Sequence, residues 1–346
     1  MPAPPYLDPA GGIGHHAGSV QTDSYGYHSD AVFNRTWTFD DVAQLANGLA
    51  LWDQSIDQVG SGQFRAHLHE LRFGGIQLVR ESINRAVLKR CATVGDSITF
   101  GVPLSSEGEG QCGRLPLDGY GIVMSHGRQL PEFLTPTTQD VVLVVFKTSL
   151  LIEMCALTNQ DAARVNAQLI VLDPVRQFAL RKWLKEVFSA VDVSHDLRLP
   201  PSLLKTLRDS ILLEFVSMID ASGETESLDP FDRCHLIQKV RDLVMSEQSS
   251  PLTVLDVCIA VGISRRTLQY CFEQTLGIQP ASYLRAIRLN SVRRELRNAE
   301  PASTSVTDVA TRWGFWHLGR FSANYRALFG ELPSRTLAKG EGKNET

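Results

Sequence analysis

A chain of 346 residues, 43% apolar and 21% charged, exceeds the ~100–200 residues of one domain and can bury cores of ordinary size. Its formal charge of −4 argues, as an average, against a nucleic-acid partner. No run approaches the ~18 apolar residues of a membrane-spanning helix, since the nearest, Val141–Phe146, stops at Lys147. The start, Met1-Pro-Ala-Pro-Pro, lacks the basic flank and apolar stretch of a secretion signal. Cys91, Cys112, Cys155, Cys234, Cys258 and Cys271 form no Cys-x-x-Cys pair, which excludes a zinc knuckle or disulfide framework. A reduced, cytoplasmic protein is expected, with no membrane partner.

Residues 1–30 are rich in Gly, Pro, Ser, His and Asp without an apolar period and predict a mobile arm, in which His15-His16 is a solvated pair. Residues 35–60 are expected to be partly helical, anchored by Leu51 and Trp52. Short segments with turn signals between them follow at Phe64–Phe73, Ile76–Val79, Ala86–Ala92, Ser97–Leu104, Tyr120–Ser125 and Val141–Phe146. Such a series predicts a β-sandwich or small barrel able to hold a small ligand between its faces. His67 and His69 would share one strand face, resembling the metal-binding strand of enzymatic cupins. The remaining ligands at cupin spacing are missing, so a structural strand is expected and no metal. Gly108-Glu109-Gly110-Gln111-Cys112-Gly113 matches a dinucleotide fingerprint in letters but precedes Arg114-Leu115-Pro116 and not a helix, and reads as a loop. No nucleophile elbow, phosphate loop or paired-carboxylate arrangement is present, so no catalytic residue and no cofactor are assigned.

The periodicity then changes. Val175, Ala179, Trp183, Val187 and Val191 recur every four residues after Pro174, with Leu180, Leu184 and Phe188 beside them. A second stripe, Leu204, Leu207, Ile211, Phe215 and Met218, follows Pro200-Pro201, predicting a helical hairpin that packs in the core and can also supply a dimer seam. Ala221–Pro230 is polar and turn-rich and reads as a linker. Beyond it the charge reverses: residues 250–340 carry twelve Arg or Lys against six Asp or Glu, a net of +6, leaving −9 for residues 1–249. Divided in this way, the charge suits an acidic module joined to a nucleic-acid reader.

The basic region contains a repeat. Asp256-Val257-Cys258-Ile259-Ala260-Val261-Gly262-Ile263-Ser264, continuing to Leu268, Phe272, Leu276-Gly277 and Pro280, matches Asp308-Val309-Ala310-Thr311-Arg312-Trp313-Gly314-Phe315, continuing to Phe321, Tyr325, Phe329-Gly330 and Pro333. The glycines are 52 residues apart and the later matches 53, so one supersecondary unit is built twice. In each copy a helix with a small residue (Cys258, Ala310) packs closely on a neighbour, and Gly262 or Gly314 releases the chain into a tight turn. A second helix follows, capped in the first copy by Ser264, burying Leu268 and Phe272 and turning Arg265, Arg266 and Gln269 outward. This is a helix-turn-helix signature.

These residues resemble the AraC/XylS family of transcriptional regulators. The likeness covers about Leu236–Leu337 and rests on Arg265-Arg266-Thr267-Leu268, Leu276–Leu284, Arg288-Leu289, Gly314-Phe315, Phe321 and Phe329-Gly330-Glu331-Leu332-Pro333. Trp316-His317-Leu318-Gly319 departs from it, standing where the family more often has polar residues. The resemblance implies a bacterial DNA-binding domain of two helix-turn-helix units bridged by a long helix. It implies base contacts from Arg266, Gln269 and Tyr270 in the first unit and from His317, Arg320, Ala323 and Asn324 in the second. Ser264, Arg265, Arg285, Arg293, Arg294 and Arg326 are expected at the DNA backbone, the last four of these arginines being phosphate contacts or salt-bridge partners. It further implies a front domain of cupin-like barrel plus helices that binds an effector or dimerises. Within the family, Leu71–Glu81 and Ser97–Leu104 look like the ethanolamine-operon regulator.

The expected architecture is therefore a two-domain α+β protein: a flexible arm (1–30), a sensor and dimerisation domain (31–220) with a cupin-like barrel or sandwich and helical hairpin, a linker (221–230), an all-α double helix-turn-helix domain (231–338) and a tail (339–346). The expected function is a ligand-responsive regulator that binds double-stranded promoter DNA as a homodimer, activates a catabolic operon with RNA polymerase and senses a small molecule. Two alternatives stay open: a cupin-type metal-dependent enzyme with an appended helical module, and a constitutive DNA-binding protein without an effector.

Overall fold

The structure is a computed structural model that describes residues 32–93, 95–113, 115–126, 131–160, 168–192, 200–221, 231–246 and 251–340. The expected arm, His15-His16 and all of the expected linker but Ala221 lie outside the described residues. Among those described, no helix is long and apolar enough to cross a membrane.

Alternating sequence builds two antiparallel sheets. The larger contains β1 (Phe33–Phe39), β3 (Ala66–Phe73), β4 (Ile76–Ile83), β6 (Ser97–Glu107), β9 (Gly121–His126), β11 (Thr138–Lys147) and β12 (Gln168–Val171), in the spatial order β1-β3-β4-β11-β6-β9-β12. The smaller contains β2 (Trp52–Gln58), β5 (Val87–Thr93), β7 (Gln111–Cys112), β8 (Leu115–Pro116) and β10 (Phe133–Leu134), ordered β2-β5-β10-β7-β8. Residues 108–113, expected as a loop, form a glycine turn leading into the two-residue β7.

The period-2 pattern explains how each strand serves two layers. On β6, Ile98, Phe100, Val102 and Leu104 belong to an apolar core that continues through Met124, Val142, Val144 and Phe146. Three helices cover this face: α2 (Thr148–Leu157), α3 (Pro174–Asp192) and α4 (Pro201–Ala221). The intervening Thr99, Gly101 and Pro103 face the space between the sheets.

Two local expectations change. Residues 35–60 are helical only over α1 (Val42–Ala46); Trp52 is a buried strand residue, because Trp52–Gln58 pairs residue for residue with Val87–Thr93. On α3 the buried stripe is Gln177, Leu180, Leu184, Val187 and Phe188, whereas Val175 is 78% exposed. The line through Val175 and Ala179 lies one position away from the true inward face, since Leu180 and Leu184 make the sheet contact.

The C-terminal part is all helical: α5 (Phe231–Ser246), α6 (Val254–Val261), α7 (Arg265–Leu276), α8 (Pro280–Asn298), α9 (Val306–Arg312), α10 (Leu318–Phe329) and α11 (Pro333–Ala338). The long α8 serves two cores. Tyr283, Leu284 and Ile287 from its first half pack with Val257, Cys258, Leu268 and Phe272, whereas Leu289, Val292 and Leu296 from its second half pack with Val309, Ala310, Phe321 and Tyr325.

Candidate functional site

The two repeat copies fold alike. In the first, Thr253 and Asp256 form a reciprocal capping box at the start of α6, and Gly262 ends that helix in the left-handed region at φ 72°. Ser264 then caps α7 by accepting from the Thr267 amide at 3.1 Å. In the second, Ser305 caps α9, and Gly314 makes the turn at φ 82°. A Cβ there would lie 2.5 Å from Pro251, so close packing as well as φ calls for glycine. The remaining repeat residues also fall into place: Phe315 packs on Phe321, Gly277 and Gly330 terminate α7 and α10 at positive φ, and Pro280 and Pro333 open α8 and α11.

On α7, burial of Leu268, Cys271, Phe272, Thr275 and Leu276 leaves Arg265, Arg266, Gln269 and Tyr270 exposed on one face. Gln269 Nε2 donates to Glu273 Oε1 at 3.0 Å, which holds its amide along that face. On α10, burial of Phe321, Tyr325, Leu328 and Phe329 leaves His317, Arg320, Ala323 and Arg326 exposed and Asn324 half-buried. Arg285 is exposed on α8.

Of the two roles expected for Arg293 and Arg294, phosphate contact or salt-bridge partner, the structure shows the second. Arg293 is 6% exposed; its Nε donates to Asp41 Oδ2 at 2.7 Å and its Nη1 to Glu331 Oε1 at 2.8 Å. Arg294 Nη1 donates to Asp57 Oδ1 at 2.6 Å. Both guanidiniums face carboxylates, two of them on the β-rich part, because α8 turns this side toward the sheets. The same surface gains Arg297, 3.1 Å from Asp41, and Arg241 of α5, which donates to Asp57 at 2.5 Å and to Glu132 at 2.8 Å. Burial alone would raise the Asp41 carboxyl, but Arg293 and Arg297 outweigh it and hold the group below its ordinary value. Neutral bonds extend the contact: Asn290 and the Gln58 backbone exchange two hydrogen bonds of 2.9 Å, and Gln58 Nε2 donates to the Leu328 carbonyl at 2.7 Å.

Between the sheets lies a cavity of about 90 Å³. Its walls include Thr99, Val123 and Leu143 from one sheet and Trp52, Cys91 and Phe133 from the other. A buried ion pair bridges the sheets across it: Lys89 Nζ on β5 donates to both Glu81 oxygens on β4 at 2.7 Å. Burial pushes the Cys91 thiol up to about 11, so this sulfur is protonated at neutral pH. His67 and His69 do not join the cavity. They lie within hydrogen-bond distance of Thr38 and Asn34 on β1, and among the described residues no group of three or more His, Cys, Asp or Glu is placed to hold a metal.

The partition between cavity and helices is one strand thick. On β5, Lys89 and Cys91 face the cavity, whereas Leu88 packs into the core of α5–α8 and Arg90 lies 4.0 Å from Asp242 of α5. On β10, Phe133 lines the cavity and Leu134 packs against the helices, while the preceding Glu132 binds Arg241 and accepts from the Tyr283 hydroxyl. Sequence reading missed this ionic seam and the Lys89–Glu81 pair. The available signal was a charged residue at an inward position of an alternating strand, Val87-Leu88-Lys89-Arg90-Cys91.

A helix-turn-helix domain family model matches residues 257–339, the segment that holds both units. The probable thc operon regulatory protein of Rhodococcus erythropolis is 31% identical over 202 residues, 55% of this chain and 60% of that protein. The XylDLEGF operon transcriptional activator 2 of Pseudomonas putida is 34% identical over 136 residues, 39% of this chain and 82% of that protein. The chain belongs to the AraC/XylS family of transcriptional regulators. A solved probable AraC family transcriptional regulator from Rhodopseudomonas palustris is 30% identical, covering 31% of this chain and 97% of that one, with a TM-score of 0.28. The chain spans less than two thirds of the Rhodococcus relative's length.

Proposed function

We propose that this AraC-family chain is a sequence-specific DNA-binding regulator whose front domain, residues 31–220, senses a small molecule and whose residues 231–338 read promoter DNA. The observation that carries the reading is the duplicated unit: two second helices, α7 and α10, each with a buried apolar stripe and an exposed face, held on one buried bridge, α8. Arg266, Gln269 and Tyr270 on α7 and His317, Arg320, Ala323 and Asn324 on α10 read bases, and Arg265, Arg285 and Arg326 meet phosphates. Ser264 serves the DNA face by fixing the start of α7.

The effector occupies the cavity between the sheets. At about 90 Å³ it is smaller than the ~150 Å³ cavity that takes a benzene, which supports a compact molecule with a polar group directed at Lys89 and Glu81. Glu81, Thr99, Gly101 and Pro103 fall in the two segments that resemble the ethanolamine-operon regulator, which supports that subgroup. Bound there, the effector presses on β5 and β10 and so on α5–α8, shifting the balance of arrangements by its differential affinity for them. The exposed Val175 and Phe178 of α3 support a homodimer surface. As in the Pseudomonas relative named an activator, the output is activation, with RNA polymerase as partner in a bacterial cytoplasm.

Selection of duplexes from a random library by the full-length chain tests the reading. The expected result is one motif with two half-sites about one helical turn, ~10 bp, apart. Recovery of no preferred sequence, with or without added small amines and alcohols, would sink it.

A further inference from the structure

The two reading helices have opposite chemistry. At the 53-residue offset that superposes Leu268 on Phe321 and Phe272 on Tyr325, the exposed Arg265, Arg266 and Tyr270 of α7 correspond to Leu318, Gly319 and Ala323 of α10, and Gln269 corresponds to Ser322. Three long polar side chains and a tyrosine give way to side chains that are apolar, small or absent.

Among the described residues nothing accounts for this replacement. Leu318 is 39% exposed and the adjoining Trp316 is 69% exposed. A Cβ on Gly319 would meet no atom within 4 Å, and its backbone is not in the left-handed region, so neither packing nor conformation calls for glycine. A bare backbone with apolar neighbours at the start of a recognition helix suits an outside surface that comes close and offers apolar groups. In the major groove only thymine presents one, its C5-methyl. Arg320 and Arg326, exposed on the same helix, supply the positive charge that DNA requires. A protein partner would also accept Leu318 and Trp316. Gly319 and Ala323 stand in register with the base readers Arg266 and Tyr270, Leu318 adjoins them at the place of the phosphate-contacting Arg265, and the flanking arginines favour DNA.

We propose that the second unit reads a thymine-rich half-site by apolar contact: Leu318 and Ala323 meet thymine methyl groups, Gly319 lets the helix approach the base edges, and Arg320 reads beside His317 and Asn324. The first unit reads guanine and adenine edges through Arg266 and Gln269. The inference rests on the DNA-binding reading above.

The test replaces each thymine of the selected duplex, one at a time, by deoxyuridine, which lacks only the methyl. Removing one buried methyl, at about 0.8 kcal/mol, weakens full-length protein about fourfold at one or two positions of the second half-site. Leu318→Ala, at an exposed site that leaves the fold intact, abolishes that sensitivity at its own position and leaves the first half-site's preference unchanged. Equal affinity for deoxythymidine and deoxyuridine throughout, a second half-site without thymine, or undiminished sensitivity in Leu318→Ala overturns the proposal. Failure to select any duplex removes the DNA-binding reading and this inference with it.

Discussion

Asp41 shows how much one side chain does. Its carboxylate caps α1 through the Ala43 amide at 2.9 Å and also receives Arg293 and Arg297 from α8. Both guanidiniums favour the ionised form, so the folded value lies below the ordinary 3.8 despite burial. A depressed carboxylate contributes stability that is complete above its unfolded value and lost as pH falls through the folded one. Asp41→Asn is therefore expected to cost about 3 kcal/mol near pH 7, the range for breaking a buried pair. The gap from wild type should narrow as the pH drops below 3.8. Denaturant unfolding at a series of pH values measures it, and the absence of a gap at pH 7 would show that Asp41 acts only as a helix cap, a role asparagine fills equally.

At the scale of elements, α8 separates two kinds of arginine that sequence presents as one basic run. Arg285 points outward, whereas Arg293 is committed to Asp41 and Glu331. A phosphate contact contributes about 0.9 to the slope of log affinity against log salt. Arg285→Ala should reduce that slope by about one unit, and Arg293→Gln should lower stability without changing it. Titrations at four salt concentrations decide the matter; a slope change for Arg293→Gln alone would reverse the assignment. The distinction was illegible in sequence because both residues lie on a helix with apolar residues on several sides. Which cationic face meets solvent depends on what packs against the helix.

Over the whole molecule, the acidic front and basic back meet through buried charges as well as differing in sign. Asp57 is fully buried and receives Arg241 from α5 and Arg294 from α8, so one carboxylate on β2 holds two helices of the reader. Asp57→Ala leaves Arg241 with Glu132 alone and Arg294 without this carboxylate, at a cost of about 3 kcal/mol. Calorimetry should convert a single transition of the full chain into two, one for each part. A single transition at the wild-type temperature would mean that Asp57 is not what couples the parts.

Sequence by itself determined the duplicated helix-turn-helix unit. The duplicated pattern of small residue, glycine, cap and apolar stripe encodes local structure, because capping, left-handed glycine and 3.6-residue periodicity act within a few residues. It also determined most strands from Phe64 onward and the hairpin of α3 and α4 for the same reason. It gave the helical part of residues 35–60, found at Val42–Ala46, but not the strand Trp52–Gln58, which forms only by pairing with Val87–Thr93. On α3 it named Leu180, Leu184, Val187 and Phe188, which are buried, but also Val175, which is exposed, since the inward line is chosen by the sheet beneath it. Only the tertiary structure decided the rest: that β5 divides cavity from reader, that Lys89 meets Glu81 across two sheets, and that Arg293 and Arg294 face carboxylates. Those contacts join residues up to 252 positions apart, and their energy depends on burial that no local pattern carries.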